Sequence, residues 1–334
     1  MILICFGTRP EWLKIKPLLK LIDNYTIFFT GQHEDLLKNE MNNYSSSIIY
    51  SKIKTTSNSR LNNILSSILD SFPMENYDAV LVQGDTASAY ACAIAGFNNN
   101  KKIIYLEAGL RSFDLNHPFP EEGYRQMITR ISSINFCPTE LSMKNLIAEN
   151  VLGKNFVVGN TVLDNLTGYL NSTCYGNQVL ITLHRRENLP IFNSWLTQII
   201  KIAKKFESIN FKIIEHPNHI IELPDLKNLF KSSPLDHKEF INELVKTKLL
   251  ITDSGGLQEE GSFFNKKVIV CREVTERPEG IKTGHIILCK KPENLFKIFS
   301  EEIKTYKIDK PCPYGDGQSS EKIIKILREN DISI

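Results

Sequence analysis

Acidic side chains follow two neighbouring apolar runs of the sequence and recur shortly beyond them. Asp85 lies just past one run, Glu107 directly follows the next, and Glu121 and Glu122 come further along the chain. An alanine-rich stretch with helical spacing separates the two runs, so the segment predicts a β-α-β unit. The carboxyl ends of parallel strands meet at one edge of a sheet, where ligands bind. We therefore expect these carboxylates to converge on one cleft, as acid, base or charge stabiliser.

Structural roles offer an alternative for each carboxylate taken alone. Asp85 precedes Thr86 and could cap the following helix, and Glu107 could pair with Arg111 four residues later. Several carboxylates at the ends of adjacent strands are harder to explain in this way. Together they favour a catalytic cleft over separate structural roles.

A glycine turn near the start of the chain predicts an anion site. The apolar run 2–6 ends at Gly7, and a helical period begins three residues later. Free N–H groups at the start of a helix attract anions, and Arg9 adds a positive charge to the same turn. Lys14, one helical turn further on, could face the same cleft. The alternative is that Arg9 simply pairs with Glu11.

A second turn of this kind occurs in the other half of the chain. The apolar run 249–252 leads through an aspartate into Ser254, Gly255 and Gly256, and a helix is expected to follow over 257–263. Such a turn can hold a diphosphate on backbone N–H groups. A plain capped turn fits this segment equally well. The similar turn in the first half favours a nucleotide diphosphate between the two halves.

Positive and titratable side chains accompany the second turn. His184 directly follows the predicted strand 179–183, and Arg277 follows another strand predicted over 268–271. Cations at these points would neutralise phosphate groups as they leave. Solvated surface arginines are the alternative.

Composition excludes several classes of protein. The chain has 334 residues, a formal net charge of +2 and 23% charged residues, so we expect no nucleic-acid or membrane-surface partner. Seven cysteines without a C-x-x-C pair argue against a disulfide framework and a structural zinc site. No apolar run approaches the roughly 20 residues of a membrane helix, and the first strand leaves no room for a signal peptide. We expect a cytoplasmic enzyme.

The alternation of strands and helices is interrupted once, by a Gly, Asn, Ser and Thr-rich stretch over 168–177 that we interpret as a linker. The fold class predicted is α/β, with two Rossmann-like doubly wound domains facing a cleft. The first domain is expected over 1–168, with a returning helix within 318–334, and the second over 169–317. The polar stretch 39–63 is expected to be loop, and a helix is expected over 124–132.

Ordered motifs along nearly the whole chain resemble the non-hydrolysing UDP-N-acetylglucosamine 2-epimerases. The central segment contributes Q-G-D-T, L-E-A-G-L-R and P-E-E-G-Y-R. The others are G-T-R-P-E at Gly7, G-Q-H at Gly31, G-N-T-V-L-D at Gly159, H-R-R-E-N at His184, D-S-G-G-L-Q-E-E at Asp253, T-E-R-P-E at Thr275 and P-Y-G-D-G at Pro313. So many ordered motifs make the resemblance specific.

The resemblance implies a glycosyltransferase-B-like fold and a homodimer acting on a UDP-sugar. It implies interconversion of UDP-N-acetylglucosamine and UDP-N-acetylmannosamine through elimination of UDP, for cell-surface polysaccharide synthesis, without a metal or redox cofactor. It assigns catalysis to Asp85, Glu107, Glu121 and His184. It assigns substrate and UDP binding to Arg9, Lys14, Arg125, His216, Ser254, Gly255, Gly256, Glu260 and Arg277. It leaves open which carboxylate is the acid and which is the base.

The sequence departs from the family pattern at two places. The segment around His216 is two residues shorter than the family's H-x-N-P-N motif, and Gly123 and Tyr124 replace the small residue and asparagine that usually follow P-E-E. A modified 2-acetamido sugar nucleotide is therefore an alternative substrate. The chain could also be a hydrolysing epimerase, a glycosyltransferase or a non-catalytic nucleotide-sugar sensor.

Overall fold

The computed structural model describes residues 1–32, 48–73, 77–185, 188–215 and 221–334, and the chain divides into two compact units. The first unit comprises Met1–Asn165 and Gly317–Ile334, and the second comprises Leu166–Asp316. Each unit is built on a parallel sheet with helices between its strands. The predicted α/β class with two doubly wound domains is confirmed.

The first unit contains a seven-stranded parallel sheet within the described residues. Its strands are β1 (Ile2–Phe6), β2 (Tyr25–Phe29), β3 (Ile48–Tyr50), β4 (Ala79–Gln83), β5 (Lys102–Leu106), β6 (Ile134–Cys137) and β7 (Lys154–Val157). Its helices are α1 (Arg9–Leu19), α2 (Arg60–Ser71), α3 (Ala87–Asn98), α4 (Glu121–Ile131), α5 (Glu140–Ala148) and a C-terminal helix, Ser319–Glu329. The strands lie in the order β3-β2-β1-β4-β5-β6-β7.

Helices cover both faces of this sheet, so its central strands β1 and β4 are apolar except for Gln83 at the end of β4. Side chains alternate between the faces: Ile4 and Phe6 of β1 join one buried cluster, and Leu3 and Cys5 join the other. The C-terminal helix contributes Ile323 and its apolar neighbours to the first cluster. The end of the chain therefore packs on the first unit.

The second unit contains a six-stranded parallel sheet within the described residues. Its strands are β8 (Gln178–Thr182), β9 (Asn210–Ile214), β10 (Leu229–Ser232), β11 (Leu249–Thr252), β12 (Lys267–Val270) and β13 (Ile286–Leu288). Its helices are α6 (Phe192–Lys205), α7 (His237–Leu244), α8 (Gly255–Phe263), α9 (Pro278–Thr283) and α10 (Leu295–Glu302). With the helices numbered in chain order, the C-terminal helix of the first unit, Ser319–Glu329, is α11. The strand order is β10-β9-β8-β11-β12-β13.

In each sheet, the first three strands of the chain are added towards one edge, and all later strands are added towards the other edge. This switch lies between β1 and β4 in the first unit and between β8 and β11 in the second. Loops that leave the carboxyl ends of strands at a switch point diverge and open a crevice, which is the usual ligand site of such sheets. The candidate residues near Gly7 and Asp85, and those near His184 and Ser254, follow these four strands.

Three strands are not predicted from the sequence, and all three are edge strands. One of them is β3, so the prediction of loop over 39–63 is wrong for its three residues. The other two strands are β10 and β13. Each is three or four residues long and only partly buried. An edge strand packs against one neighbour, so it needs no continuous apolar run, and hydrophobic patterning does not detect it.

Two helical segments also differ from expectation. Helix α4 begins at Glu121, three residues before the predicted start, so Glu121 and Glu122 occupy its first turn. Carboxylates are favourable there because the helix dipole is positive at its start. The predicted linker 168–177 begins inside a 3₁₀ segment that runs over Thr161–Ser172. In the described ranges, no helix is long and apolar enough to cross a membrane.

Lys266 is a fully buried lysine in the second unit. Its Nζ donates to the carbonyl of Cys174 at 2.6 Å and lies 4.4 Å from the ring centroid of Tyr175. Both of these partners are neutral, so neither offers the ammonium a full negative charge. Burial lowers the pKa of Lys266 to about 8, because removing the ammonium from water disfavours its charged form.

We expect Lys266 to make the stability of the second unit pH-dependent. The unfolded lysine titrates near its ordinary 10.5, so below pH 8 folding must bury a charge at a cost of about 3 kcal/mol. That cost disappears as pH rises from 8 to 10.5, because the folded state then binds fewer protons than the unfolded state. The free energy of unfolding, relative to a Lys266→Met variant, should therefore rise over this range. A difference that stays constant in urea titrations from pH 7 to 10.5 would contradict this.

Candidate active site

The turn between β1 and α1 is tightly packed and internally hydrogen-bonded. A Cβ on Gly7 would lie 2.0 Å from Thr30 Oγ1, so only glycine fits there. Glu11 Oε2 accepts from the N–H groups of Gly7 at 2.8 Å and Thr8 at 2.7 Å. The N–H groups of Gly7 and Thr8, which precede the helix, are therefore not free for an anion, because the buried Glu11 carboxylate occupies them. The anion site at the start of α1 itself stays a prediction. Burial raises the pKa of Glu11, and its hydrogen bonds oppose that shift.

The cations of the first helix are placed differently. Arg9 is the first residue of α1 and is half-buried. Lys14, one turn later, extends its Nζ to 2.5 Å from Glu107 Oε2. The structure thus joins two sequence-predicted site residues, Lys14 and Glu107, in one partly buried ion pair.

Several donors converge on Glu107 at the end of β5. Besides Lys14, the side-chain amides of Gln83 at 2.5 Å and Asn160 at 3.2 Å donate to its carboxylate. Its backbone φ is +65°, a left-handed conformation that costs free energy for a residue with a side chain. A small pocket is lined by this carboxylate, Gln83 and Asn160. Strain and converging donors at a pocket are typical of a functional carboxylate.

Gln83 and Asn160 are site residues that the sequence reasoning missed. Both lie inside motifs noted above, Q-G-D-T and G-N-T-V-L-D. Neutral amides carry no charge signal, so only their position at the ends of motif strands could have identified them. The alternative prediction that Glu107 pairs with Arg111 is wrong, because Arg111 donates instead to Glu149 at 2.7 and 3.0 Å.

Asp85 is paired with a buried arginine. Arg125 of α4 donates to Asp85 Oδ2, and its other terminal nitrogen lies 3.4 Å from Glu122. The alternative role of Asp85 as a helix cap is wrong, because the Thr86 hydroxyl caps α3 by accepting from Ala89 N at 3.1 Å. Asp85 keeps 28% of its side chain exposed, so a ligand can reach it.

The adjacent acids of α4 have opposite surroundings. Glu122 is fully buried and accepts from Ser112 N and from the side chain of Gln126, both at 2.9 Å. It therefore fixes the loop before α4, and the expectation that it joins the catalytic cluster is wrong. Glu121 Oε2 is buried and has no hydrogen-bond partner among the described residues. Glu121 thus has a carboxylate oxygen available for a ligand.

Tyr124, one of the departures from the family pattern, is a core residue. Its ring stacks on Tyr90 of α3 with centroids 4.8 Å apart, and it is 7% exposed. Burial raises the pKa of its phenol.

In the second unit, Asp253 ties together the loops that follow β8 and β11. Its fully buried carboxylate accepts from the N–H groups of His184 at 3.0 Å and Arg185 at 2.9 Å, and from Asn188 Nδ2 at 2.9 Å. The His184 ring lies 3.2 Å from Thr182 Oγ1, and 40% of its side chain is exposed. Asp253 was missed as the residue that positions His184, although it opens the D-S-G-G motif.

The glycine turn before α8 lies against a buried ion-pair cluster. Helix α8 begins at Gly255, and the Ser254 side chain makes no capping bond. A Cβ on Gly255 would lie 3.0 Å from Arg277 Nη1, whereas Gly256 has open space. Arg277 itself is buried, with its Nε 2.6 Å from Glu259 and its Nη1 bonded to Glu276. The positive charge of Arg277 is therefore neutralised by carboxylates of the protein. This structural role stands beside the nucleotide contact predicted from the sequence.

The two carboxylate oxygens of Glu260 in α8 differ in their hydrogen bonding. Its Oε1 lies 3.1 Å from Nε2 of His237, and its Oε2 is buried without a hydrogen-bond partner among the described residues. His216, the remaining predicted binding residue, lies outside the described residues, as do His33, Arg186 and Glu187. Within the described ranges, no group of three or more His, Cys, Asp or Glu side chains could hold a metal ion.

Comparison with known proteins gives one consistent family. The family model described as UDP-N-acetylglucosamine 2-epimerase matches residues 22–328. The UDP-N-acetylglucosamine 2-epimerase of Campylobacter jejuni is 36% identical, over 98% of this chain and 97% of that protein. The enzyme of the same name from Neisseria meningitidis serogroup A is 32% identical, over 98% and 99% of the two chains.

Solved structures agree with the sequence relatives. The crystal structure of UDP-GlcNAc 2-epimerase from Neisseria meningitidis bound to UDP-GlcNAc has a TM-score of 0.86 and 29% identity, covering 98% of this chain and 100% of that chain. The Methanocaldococcus jannaschii UDP-GlcNAc 2-epimerase in complex with UDP-GlcNAc and UDP has a TM-score of 0.82 and 30% identity, with 98% and 99% coverage. The chain belongs to the UDP-N-acetylglucosamine 2-epimerase family.

Proposed function

We propose that this protein interconverts UDP-N-acetylglucosamine and UDP-N-acetylmannosamine as a non-hydrolysing epimerase. The observation that carries the proposal is the set of three carboxylates in the first unit. Asp85 and Glu107 follow adjacent strands, and Glu121 has a buried oxygen without a hydrogen-bond partner among the described residues. Relatives that match nearly the whole chain carry the name UDP-N-acetylglucosamine 2-epimerase, which is consistent with this assignment.

The reaction requires removal of a poorly acidic hydrogen from carbon 2 of the sugar. Departure of UDP breaks the bond between carbon 1 and the phosphate oxygen, and the positive charge that develops at carbon 1 makes the carbon 2 proton removable. Loss of that proton gives UDP and a 2-acetamidoglucal. Return of a proton to the opposite face of carbon 2, with UDP adding to carbon 1, gives the epimer. A base and an acid are therefore needed close to carbon 2.

The carboxylates differ in their readiness for proton transfer. Glu107 is fixed by Lys14 and two side-chain amides, whereas Asp85, which pairs with Arg125 through Oδ2, keeps 28% of its side chain exposed. Glu121 Oε2 can accept or deliver a proton without first breaking a hydrogen bond to the described protein. We assign proton transfer to Asp85 and Glu121, and orientation or charge stabilisation to Glu107, with the face served by each carboxylate left open.

The nucleotide is assigned to residues predicted for it. In the first unit, Arg9 supplies positive charge, while Lys14 shares its charge with Glu107. In the second unit, Ser254, Gly255 and Gly256 present the start of α8, which favours phosphate. Arg277 lies against Gly255 and is paired with Glu259 and Glu276, so its part in the site is mainly to support this turn. The exposed ring of His184 is available to the leaving diphosphate. The buried free oxygen of Glu260 suits a hydroxyl donor such as those of ribose. A homodimer and a role in polysaccharide synthesis stay predictions from the resemblance, and a cytoplasmic location stays a prediction from the composition.

Product analysis tests the proposal. The purified chain, incubated with UDP-N-acetylglucosamine, should form UDP-N-acetylmannosamine without equivalent release of free sugar, as followed by anion-exchange chromatography and NMR. Free N-acetylmannosamine and UDP in equal amounts would instead identify a hydrolysing epimerase. Turnover only of a modified 2-acetamido sugar nucleotide would identify the alternative substrate. Transfer of the sugar to an acceptor would identify a glycosyltransferase, and binding without turnover a sensor.

A further inference from the structure

His237 is fixed at the first position of helix α7 by its neighbours in sequence. The Asp236 side chain accepts from Glu239 N at 2.7 Å, and the Glu239 side chain accepts from Asp236 N at 2.9 Å. This capping box sets where α7 begins. It therefore also fixes the backbone position from which the His237 side chain extends.

The imidazole of His237 reaches one oxygen of a buried carboxylate. Its Nε2 lies 3.1 Å from Glu260 Oε1, and only 6% of the Glu260 side chain is exposed. A carboxylate oxygen accepts, so the Nε2 proton is donated to Glu260. With Oε1 held and the helix backbone fixed, the direction of Oε2 is also fixed.

The free oxygen of Glu260 needs a donor that the described protein does not supply. A buried carboxylate oxygen without a hydrogen bond is costly, so a ligand or water must donate to it. Glu260 lies on α8, whose first turn is the proposed diphosphate site. A uridine diphosphate carries two donors near its phosphates, the 2′ and 3′ hydroxyls of ribose. Water would favour no particular nucleotide, whereas a ribose contact would.

We propose that His237 is a positioning residue which orients Glu260 to accept a ribose hydroxyl and so sets the preference for ribonucleotides. The inference rests on the proposed function, which places UDP beside α8. A nucleotide lacking the contacted hydroxyl leaves Glu260 Oε2 unpaired, and sites that bond a hydroxyl reject analogues without it. His237 acts through Glu260, so its removal should reduce this preference.

Calorimetry with UDP, 2′-deoxy-UDP and 3′-deoxy-UDP tests the inference. Wild type should bind UDP at least about tenfold more tightly than one of the deoxy analogues, as expected for a lost hydrogen bond to a charged group. His237→Phe should lower that ratio to about one to threefold, mainly by weakening UDP. His237→Gln, whose Nε2 can also donate, should keep the ratio. Lys238→Ala, which removes an exposed charge from the same helical turn, should change nothing.

A double variant shows whether His237 acts through Glu260. Glu260→Gln should reduce the ratio by itself, and adding His237→Phe should reduce it little further, because both changes affect one contact. An unchanged ratio in His237→Phe, or fully additive losses, would overturn the role of His237 while leaving UDP binding intact. Failure of wild type to bind UDP would overturn the proposed function together with this inference. Thermal unfolding of each variant verifies that it is folded; if His237→Phe is not, the comparison of His237→Gln with Glu260→Gln decides.

Discussion

Asp85→Asn and Glu121→Gln are each expected to reduce turnover by about a hundredfold or more while UDP affinity stays within a few-fold of wild type. These changes keep the shape of the side chains and remove only the group that ionises, and losing an acid or base costs about that much. The proposed UDP contacts include residues of α8 and Arg277, which neither change touches. Steady-state kinetics and calorimetry with UDP measure the two quantities. Loss of UDP binding in both variants would make the carboxylates structural supports.

Glu122→Gln is the matched control for Glu121→Gln. The two residues are adjacent in the first turn of α4, but Glu122 is fully buried and accepts from Ser112 N, Gln126 and Arg125. Removing its charge disturbs that network, so this variant should lose stability by an amount that Glu121→Gln does not. Equal effects of the two changes on stability and turnover would contradict the distinction between a reactive and a structural glutamate.

Arg277→Met is expected to destabilise the second unit by about 3–5 kcal/mol, the usual cost of leaving buried charges unpaired. The Arg277 guanidinium is buried against Glu259, which is fully buried, and Glu276. Adding Glu259→Gln should restore part of the loss, because it removes one of the unpaired charges. Lys282→Met, which removes an exposed cation from α9, should change stability by less than about 0.5 kcal/mol.

Tryptophan fluorescence can report this change for the second unit alone. The chain has two tryptophans, the first unit containing Trp12 and the second Trp195. In a Trp12→Phe background, urea unfolding followed by fluorescence therefore reports Trp195, which is buried in the core of the second unit. If Arg277→Met unfolds at the same urea concentration as the Trp12→Phe background, the charge of Arg277 does not stabilise the second unit. Arg277 would then act only in ligand binding.

The parts of the fold that carry a strong apolar pattern could be predicted from the sequence. Strand β11 occupies the predicted residues 249–252, because a central strand buried on both faces forms a nearly continuous apolar run. Edge strands β3, β10 and β13 have no such requirement, and they were missed. The start of α4 was placed three residues too late because Glu121 and Glu122 look like loop residues, although the helix dipole favours them in a first turn.

Pairings between distant residues were the less predictable part of the site. Motif positions identified Asp85, Glu107 and Glu121, but they did not show that Glu122 is a structural residue. They also did not show that Asp253 holds the backbone after β8, since that contact joins residues 69 apart in the chain. Charge and spacing report which side chains are available, whereas the partners of each depend on the order of strands in the sheet.

The origin of the hydrogen on carbon 2 tests the central claim most directly. The enzyme should be incubated with UDP-N-acetylglucosamine in deuterated water, and both sugar nucleotides should be examined by NMR and mass spectrometry. The account predicts UDP-N-acetylmannosamine carrying solvent deuterium at carbon 2, because the glycal intermediate has lost the original hydrogen. Epimer formed with the original hydrogen still at carbon 2, or no epimer at all, would contradict it.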